Sequence, residues 1–386
     1  VNPRPHPGRA AAPAIAVVGV PGGRRLELFG AAARAAGLPE PVVLPWRELA
    51  AGPVAVPPGA LVRVDSPGGE PETERLLRGL KRPLDPHRVE GTAAWYAGFR
   101  AALHRLAAAA AAAPGARLVQ DPAELAVMCD KRACQQRLGE AGVPVPPALP
   151  GGPVSGYAEL RRRMAEHGRP RVFVKPAHGS SASGVVALTA WGERVRATTS
   201  VELVRTPAGV ELYNNLRVRT YTRPHDAAAL VDALCADGVR VEGWLPKASL
   251  DGRTIDLRVL VVAGRATHTV VRAATGPITN LHLGAERGDP ARLRAAMGAG
   301  RWRSALAVAE RAAGCFPATL HAAVDLLVSP CLRRFAVCEV NAFGDLLPGV
   351  LSPEGRDSYA EQLHAMYPSA PPGALQVRPR EPVCTP

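Results

Sequence analysis

One segment constrains the fold more than any other: Arg171-Val-Phe-Val-Lys-Pro-Ala-His-Gly-Ser-Ser-Ala-Ser-Gly-Val185. The apolar strand Val172-Phe-Val174 delivers Lys175. A small, polar, glycine-rich loop follows, and Val185-Val-Ala-Leu188 resumes the strand pattern. The lysine precedes the glycines and no helical pattern follows the loop. A Walker A loop needs the opposite order, so a P-loop fold is excluded. The segment predicts an antiparallel hairpin instead. Gly179 and Gly184 free the backbone to turn its N–H groups toward an anion, and Ser180, Ser181 and Ser183 add hydroxyls. A lysine beside such a loop suits a polyphosphate, although the same residues also fit a plain hairpin.

Lysine itself is scarce. Only Lys81, Lys131, Lys175 and Lys247 occur among 47 basic residues. A chain drifting so far toward arginine keeps lysine mainly where a compact point charge serves and a planar fork does not. Lys131 opens a helical stretch from Asp130 to Ala141, which ends at Gly142. Another helix start precedes it at Asp121-Pro-Ala-Glu124, with Asp121 as N-cap.

Two late strands carry acids. His321-Ala-Ala-Val-Asp-Leu-Leu-Val328 holds Asp325, and Phe335-Ala-Val-Cys-Glu-Val-Asn341 holds Glu339 and Asn341. Alternation puts Glu339 and Asn341 on one face. Acids at strand centres are costly unless paired or bound to a cation. Two carboxylates and a carboxamide suit Mg²⁺, and arginine pairing is the other outcome. In Thr254-Ile-Asp-Leu-Arg-Val-Leu-Val-Val262, Asp256 and Arg258 share a strand face. Arg272 follows on the next strand, and Asn280 lies in Thr279-Asn-Leu-His-Leu-Gly284. Arg258 and Arg272 could neutralise a phosphoryl group in transfer. A structural Asp256–Arg258 pair is the alternative.

The first third reads differently. Ala14–Gly19, Pro41–Leu44 and Ala60–Val64 are short apolar runs, and helical stretches follow the first of them through Ala36 and the third over Glu72–Leu80. That alternation predicts an open α/β domain. Val17-Val-Gly-Val-Pro-Gly-Gly23 is not a dinucleotide fingerprint. Asp65-Ser-Pro-Gly-Gly69 follows a strand and fits a substrate contact or a simple turn.

The order Lys131, Lys175 with its glycine-rich hairpin, Glu242-Gly-Trp-Leu245, D-x-R, N-L-x-x-G and D…E-x-N resembles the ATP-grasp superfamily. The likeness spans residues 121–367, and the nearest type is the glutathione-synthetase-like carboxylate–amine ligases. It implies an α/β (α+β) fold with the nucleotide held between antiparallel sheets. The implied division is a tail over 1–13, an N-terminal α/β domain over 14–120, an N-lobe over 121–245, a C-lobe over 246–367 and a tail over 368–386.

The resemblance implies roles as well. Lys131 and Lys175 would meet the ATP phosphates under a loop running from Gly179 to Gly184. Glu242, Gly243, Trp244 and Leu245 would form the hinge that reads adenine. Asp325, Glu339 and Asn341 would hold Mg²⁺, as two ions with Glu339 bridging, or Mn²⁺ in its place. Arg258, Arg272 and Asn280 would face the transferred phosphate and the acyl group. A carboxylate would be activated as acyl phosphate and attacked by an amine. Lys247 stands where many relatives carry an acid for the ribose. Val201–Asp237 is longer than the usual link before the hinge. Trp244-Leu-Pro-Lys247 with Asn280-Leu-His-Leu-Gly284 resembles a bacterial branch of unassigned substrate that accompanies radical-type enzymes in gene clusters. Homodimers are common among relatives.

Composition sets the alternatives. Hydrophobic residues are 47% and charged residues 21%, which fits a globular chain. The net charge of +13 raises a basic nucleic-acid-binding protein as a second reading. The basic residues are scattered without an aromatic stripe, which argues against nucleic acid. A small-molecule kinase on the same fold is a third. Seven cysteines without a C-x-x-C pair read as reduced thiols. No apolar run approaches a membrane span and no secretory signal is evident, so the expected location is the cytoplasm.

Overall fold

The structure, a computed structural model, describes residues 13–179 and 182–368. The expected tails and the positions of Ser180 and Ser181 therefore lie wholly or largely outside the described residues.

The chain begins with β1 (Ile15–Gly19), α1 (Arg24–Ala35), β2 (Val42–Pro45), α2 (Trp46–Ala51), β3 (Leu61–Val64), α3 (Pro71–Leu77), α4 (Thr92–Ala112) and β4 (Arg117–Leu118). The four strands form a parallel sheet in the order β2-β1-β3-β4. β1 and β3 are buried along their whole length, as strands covered on both faces must be. α4 explains the alanine run: its buried stripe is Phe99, Ala102, Leu103, Leu106 and Ala110. The sequence shows only its end, because the stripe is narrow and most of the helix is alanine.

Next come α5 (Pro122–Cys129), α6 (Lys131–Glu140), α7 (Tyr157–Glu166), β5 (Arg171–Pro176), β6 (Val186–Trp191), β7 (Arg194–Thr206), β8 (Gly209–Tyr221), α8 (Pro224–Cys235) and β9 (Val239–Gly243). Asp121 caps α5 through the Glu124 amide, and Asp130 caps α6 through the Arg132 and Ala133 amides. The sheet order is β8-β7-β6-β5-β9, and every pairing is antiparallel. The long stretch before the hinge becomes the end of β7, all of β8, and α8. The outer edge of β8 is covered by the linker before α4. There the Val89 amide donates to the Leu212 carbonyl at 2.8 Å, and the Asn214 amide to that of His87 at 2.7 Å. A capped edge cannot pair with another chain.

The last part contains β10 (Ser249–Leu250), β11 (Arg253–Val262), β12 (Arg265–Ala274), a short 3₁₀ turn (Leu281–Leu283), β13 (Glu286–Gly288), α9 (Pro290–Met297), α10 (Ala299–Gly314), β14 (His321–Val328), β15 (Phe335–Asn341) and α11 (Ser358–Met366). The antiparallel order is β13-β12-β11-β14-β15, with β10 on β11. One face packs Leu257, Val259, Val324 and Leu326 into the core that α10 covers with Ala305, Ala309 and Ala312. The other face carries Asp256, Arg258, Arg272 and Asp325.

The three sheets share two main cores. One buried cluster runs continuously from the parallel sheet through α4, α5 and α6 into the C-terminal sheet. The middle sheet has its own cluster with α7 and α8. The phosphate-type loop thus belongs to a body packed separately from the one that carries the acids.

Candidate active site

β5 brings Lys175 to the cleft between the two antiparallel sheets. Its neighbour β9 pairs Phe173 with Glu242, and Lys175 forms a buried ion pair with that carboxylate. The Lys175 ammonium also lies 3.1 Å from Cys338 Sγ on β15. Burial opposes the charge on Lys175, but the buried Glu242 carboxylate raises its pKa above the ordinary lysine range, so it stays protonated. Lys131, the first residue of α6, reaches the Gly179 carbonyl and pairs with Glu339 at 2.9 Å. The two lysines therefore link the middle sheet to β15.

The loop after Lys175 folds back on the end of its own strand. Gly184 has φ +73°, and a Cβ there would sit 2.5 Å from Pro176 Cγ; at Gly179 one would sit 3.2 Å from the Ser183 carbonyl oxygen. Gly184 is required sterically, while a Cβ at Gly179 would be tight but could be accommodated by a small shift. Further along, the Gly243 and Trp244 amides donate to Pro147 and Arg171 carbonyls. Trp244 packs on Phe173, with centroids 4.8 Å apart.

The C-terminal sheet holds a lattice of charges. Register places Arg258, Asp325 and Glu339 in one row across β11, β14 and β15, and Asp256 opposite Arg272 in the next. Arg258 Nε lies 2.6 Å from Asp325 Oδ1, and Arg272 bonds to Asp256 at 2.7 Å and to Asp325 at 3.2 Å. The Asp256–Arg258 pair offered by their shared strand face does not form. Each side chain finds its partner across the ladder, where opposed residues are closer. Lys247 turns into this lattice, donating to Thr279 Oγ1 at 2.6 Å and Asp256 Oδ2 at 3.3 Å. Arg258 also contacts Asp345 at 3.2 Å.

Register slips by one residue between Asp325 and Leu326, so Glu339 opposes Asp325, Val337 opposes Leu326, and Cys338 is a bulge. A bulge re-aims side chains beside a site. Here it lets Cys338 meet Lys175 while its neighbour Glu339 meets Lys131. Burial pushes Asp325 up, with Arg258 and Arg272 pulling down and Glu339 pushing up; the net direction is upward. Burial also raises Glu339, but Lys131 outweighs it and holds that carboxyl below its ordinary value. Burial keeps Cys338 a protonated thiol.

These groups fit a divalent cation by donor chemistry. Asp325, Glu339 and Asn341 are hard oxygen donors on one face. Asn341 spends its amide N–H on the Ala323 carbonyl at 3.1 Å, which leaves its Oδ1 for another partner. Among the described residues no group of three or more His, Cys, Asp or Glu could hold a metal.

Asn280 stands apart from the other expected site residues: its side chain accepts the His282 amide at 2.8 Å and caps the 3₁₀ turn. Asp65, after β3, is buried against Arg25 and Arg63 rather than in an open turn. Sequence reading missed Cys338, Asp345, Thr279 and the inward turn of Lys247. Only the scarcity of lysine pointed at the last. A groove of about 510 Å³ along α9 and α10, lined by Pro290, Arg294 and Trp302, shares no residue with this cleft.

No protein-family model matches the sequence, and no curated protein does either. Solved structures do match. D-cycloserine synthetase DcsG is 16% identical over 92% of this chain and 99% of its own, with a TM-score of 0.53. Carboxyaminoimidazole ribonucleotide synthase from Aspergillus clavatus, solved with ATP, is 14% identical over 95% and 80%, with a TM-score of 0.52. The ATP-grasp ligase PsnB, solved with a phosphomimetic variant of a minimal precursor, Mg and ADP, is 17% identical over 93% and 99%, at 0.49. At these identities the likeness is one of fold.

Proposed function

We propose that this chain, which has the ATP-grasp fold, is an ATP- and Mg²⁺-dependent ligase that joins a carboxylate to an amine. The observation that carries this reading is the meeting of Lys131 and Lys175 with Glu339 and Cys338 across the cleft, beside the Arg258–Asp325–Arg272 lattice. Cations from β5 and the start of α6 face hard oxygens from the C-terminal sheet, which is what a polyphosphate with its cation requires.

In this reading the N-terminal domain spans 14–120, the N-lobe 121–245 and the C-lobe 246–367. Lys131 and Lys175 hold the phosphates under the loop that starts at Gly179 and ends at Gly184, the stretch that includes Ser183. Glu242 to Leu245 line the adenine. Asp325, Glu339 and Asn341 would hold Mg²⁺, which when bound neutralises phosphate charge. A carboxylate oxygen attacks the γ-phosphorus and ADP leaves. The amine then attacks the acyl carbon, phosphate leaves, and the amine loses a proton. Arg258 and Arg272 stabilise charge on the group in transfer, already oriented by Asp325 and Asp256. Asn280, which caps the 3₁₀ turn in this structure, would have to turn toward the cleft to meet the acyl group.

Thermal unfolding with ATP, with and without Mg²⁺, tests the nucleotide site. Ligand at 100 times its Kd adds about 2.7 kcal/mol. That is ~2 °C or more for a protein of this size. Lys175→Met should weaken ATP binding roughly 10- to 100-fold, since it removes one charged hydrogen-bonding contact. Absence of any Mg²⁺·ATP shift in the wild type would end this reading. Release of free phosphate with a joined product, rather than a stable phosphoester, separates ligase from kinase.

A further inference from the structure

His178 is the least explained group near the cleft. It lies between Lys175 and the glycine-rich loop, and its side chain is only 5% exposed. One ring face stacks on Tyr96 of α4, with centroids 4.0 Å apart and planes 11° from parallel. Nε2 lies 3.1 Å from Asp130 Oδ2. Nδ1 is buried and has no hydrogen-bond partner among the described residues.

Asp130 fixes the tautomer. Burial would raise its carboxyl, but the bonds from His178 and Arg132 outweigh burial and hold it low, so it is ionised. An ionised carboxylate only accepts, so Nε2 must carry the proton. In the neutral ring Nδ1 is then a bare acceptor. A buried acceptor without a donor is costly, and next to a polyanion it would also repel. Nδ1 is the ring nitrogen nearer the main chain, and His178 directly precedes the loop that begins at Gly179. The charged and titratable groups around the ring are Asp130, Lys131 and Arg132 at the start of α6, Cys129 at the end of α5, Tyr96 and Arg100 on α4, and Lys175 on β5. Lys131 is committed to the Gly179 carbonyl and Glu339, and Arg132 to Asp130.

We propose that His178 is a proton-linked phosphate contact: it takes up a proton from solvent when ATP binds, and its Nδ1–H then donates to a phosphate oxygen while Nε2–H stays on Asp130. This rests on the nucleotide site proposed above. The imidazolium lies between two anions, Asp130 and the phosphate, and the Tyr96 stack holds its plane. ATP affinity therefore falls as pH rises, because the proton must be drawn from an ever scarcer supply. Tyr96 carries the effect of the loop's occupancy onto the N-terminal domain.

Calorimetry of Mg²⁺·ATP binding in two buffers of different ionisation enthalpy tests this at pH 8, where ATP itself is fully ionised. The wild type should take up a measurable fraction of a proton per ATP, and its affinity should weaken between pH 7.5 and 9. His178→Asn places an amide N–H near the Nδ1 position without a titrating group. It should stay within about threefold of wild-type affinity at pH 8 and take up no proton. His178→Gln reproduces only the Nε2 bond to Asp130 and should lose tenfold or more. If the Gln variant equals the wild type, or the wild type takes up no proton and binds ATP equally across that pH range, His178 is only a tether and the inference fails while the nucleotide site stands. A wild type that binds no ATP at all overturns both. A wild type that takes up no proton overturns the proposal even if a variant does not fold.

Discussion

Two buried clusters of charge sit on one face of β14, four residues apart. They are built on opposite rules. Around Asp325 every charge meets an opposite one: Arg258, Arg272, Asp256 and Lys247 form a closed lattice with Thr279 and Asp345 at its rims. Around His321 donors outnumber acceptors. Arg63 is fully buried, donates through Nε to Gln362 at 3.1 Å, and lies over the Phe29 ring at 4.7 Å. Asp65 takes both Arg63 and Arg25, at 3.2 Å each. Both nitrogens of His321, the Tyr359 hydroxyl and the terminal nitrogens of Arg63 lack hydrogen bonds. In the proposed function the first cluster receives charge that arrives and leaves. The second is a polar joint between the N-terminal sheet, β14 and α11.

The contrast breaks most visibly at Asp325. Asp325→Ala leaves Arg258 with only the rim carboxylate of Asp345 and strips Arg272 of one partner. Losing one partner of a buried pair typically costs 3–5 kcal/mol, so the urea midpoint should fall by roughly that much stability. Arg63→Leu strips a single carboxylate, Asp65, which keeps Arg25, and should cost less than the loss of a carboxylate shared by two arginines. Equal losses for the two variants would erase the distinction between lattice and joint.

Titration sharpens it next. His321 is buried and, by burial first and then by Arg63, its pKa is pushed down to about 3 from an ordinary 6.5. Between those values the unfolded chain holds a proton that the folded chain refuses. Stability from this group is therefore complete above pH ~6.5 and declines as pH falls toward 3. The slope is at most about 1.4 kcal/mol per pH unit. Asp256 runs lower on the scale: burial raises it, but Arg272 and Lys247 hold it below its ordinary 3.8. Its contribution is present above that value and is lost only in stronger acid. His321→Gln should flatten the loss between pH 6.5 and 4 and leave ATP binding alone. A variant as acid-sensitive as the wild type would remove His321 from the joint.

These clusters also show what a sequence discloses. Asp325, Glu339, Arg258 and Arg272 were legible because an acid or an arginine inside an apolar alternating run is expensive and must have a reason. Lys131 and Lys175 were legible through the scarcity of lysine and the glycines beside them. Who pairs with whom was not, since register is decided by neighbouring strands: Asp256 went to Arg272 instead of Arg258. The bulge at Cys338 was invisible for the same reason. α2, α9 and most of α4 escaped because alanine-rich or short helices carry a weak period. Arg63 and His321 gave no signal, because their partners arrive from β14 and α11, some 260 to 300 residues away in the chain.

A smaller effect belongs to the glycine-rich side of the cleft, which relies on backbone shape rather than on charge. Gly184→Ala adds a Cβ at 2.5 Å from Pro176 Cγ in a left-handed conformation. The strain is about 1 kcal/mol or more and is confined to one loop. ATP affinity should drop several-fold while the urea midpoint moves little, the reverse of Arg63→Leu. A large fall in global stability would mean that the loop supports its sheet and is not an adaptable lid.

The smallest effect compares two thiols of one hairpin. Cys338 is buried beside Lys175, and burial keeps it protonated. Cys331, in the turn between β14 and β15, is exposed, and hydrogen bonds from the Ser329 hydroxyl and the Arg333 amide lower its pKa to about 7. The thiolate is the nucleophile, so its population rises through that pH. Iodoacetamide labelling of Cys331, followed by peptide mass mapping, should reach half its maximal rate near pH 7 and ignore ATP. Labelling of Cys338 should be slow at the same pH and slower still with Mg²⁺·ATP present. Stability and ATP affinity should not change when Cys331 alone is blocked. If ATP left the labelling of Cys338 untouched, the bulge would not face the nucleotide, and the lysine beside it would lose its assigned partner.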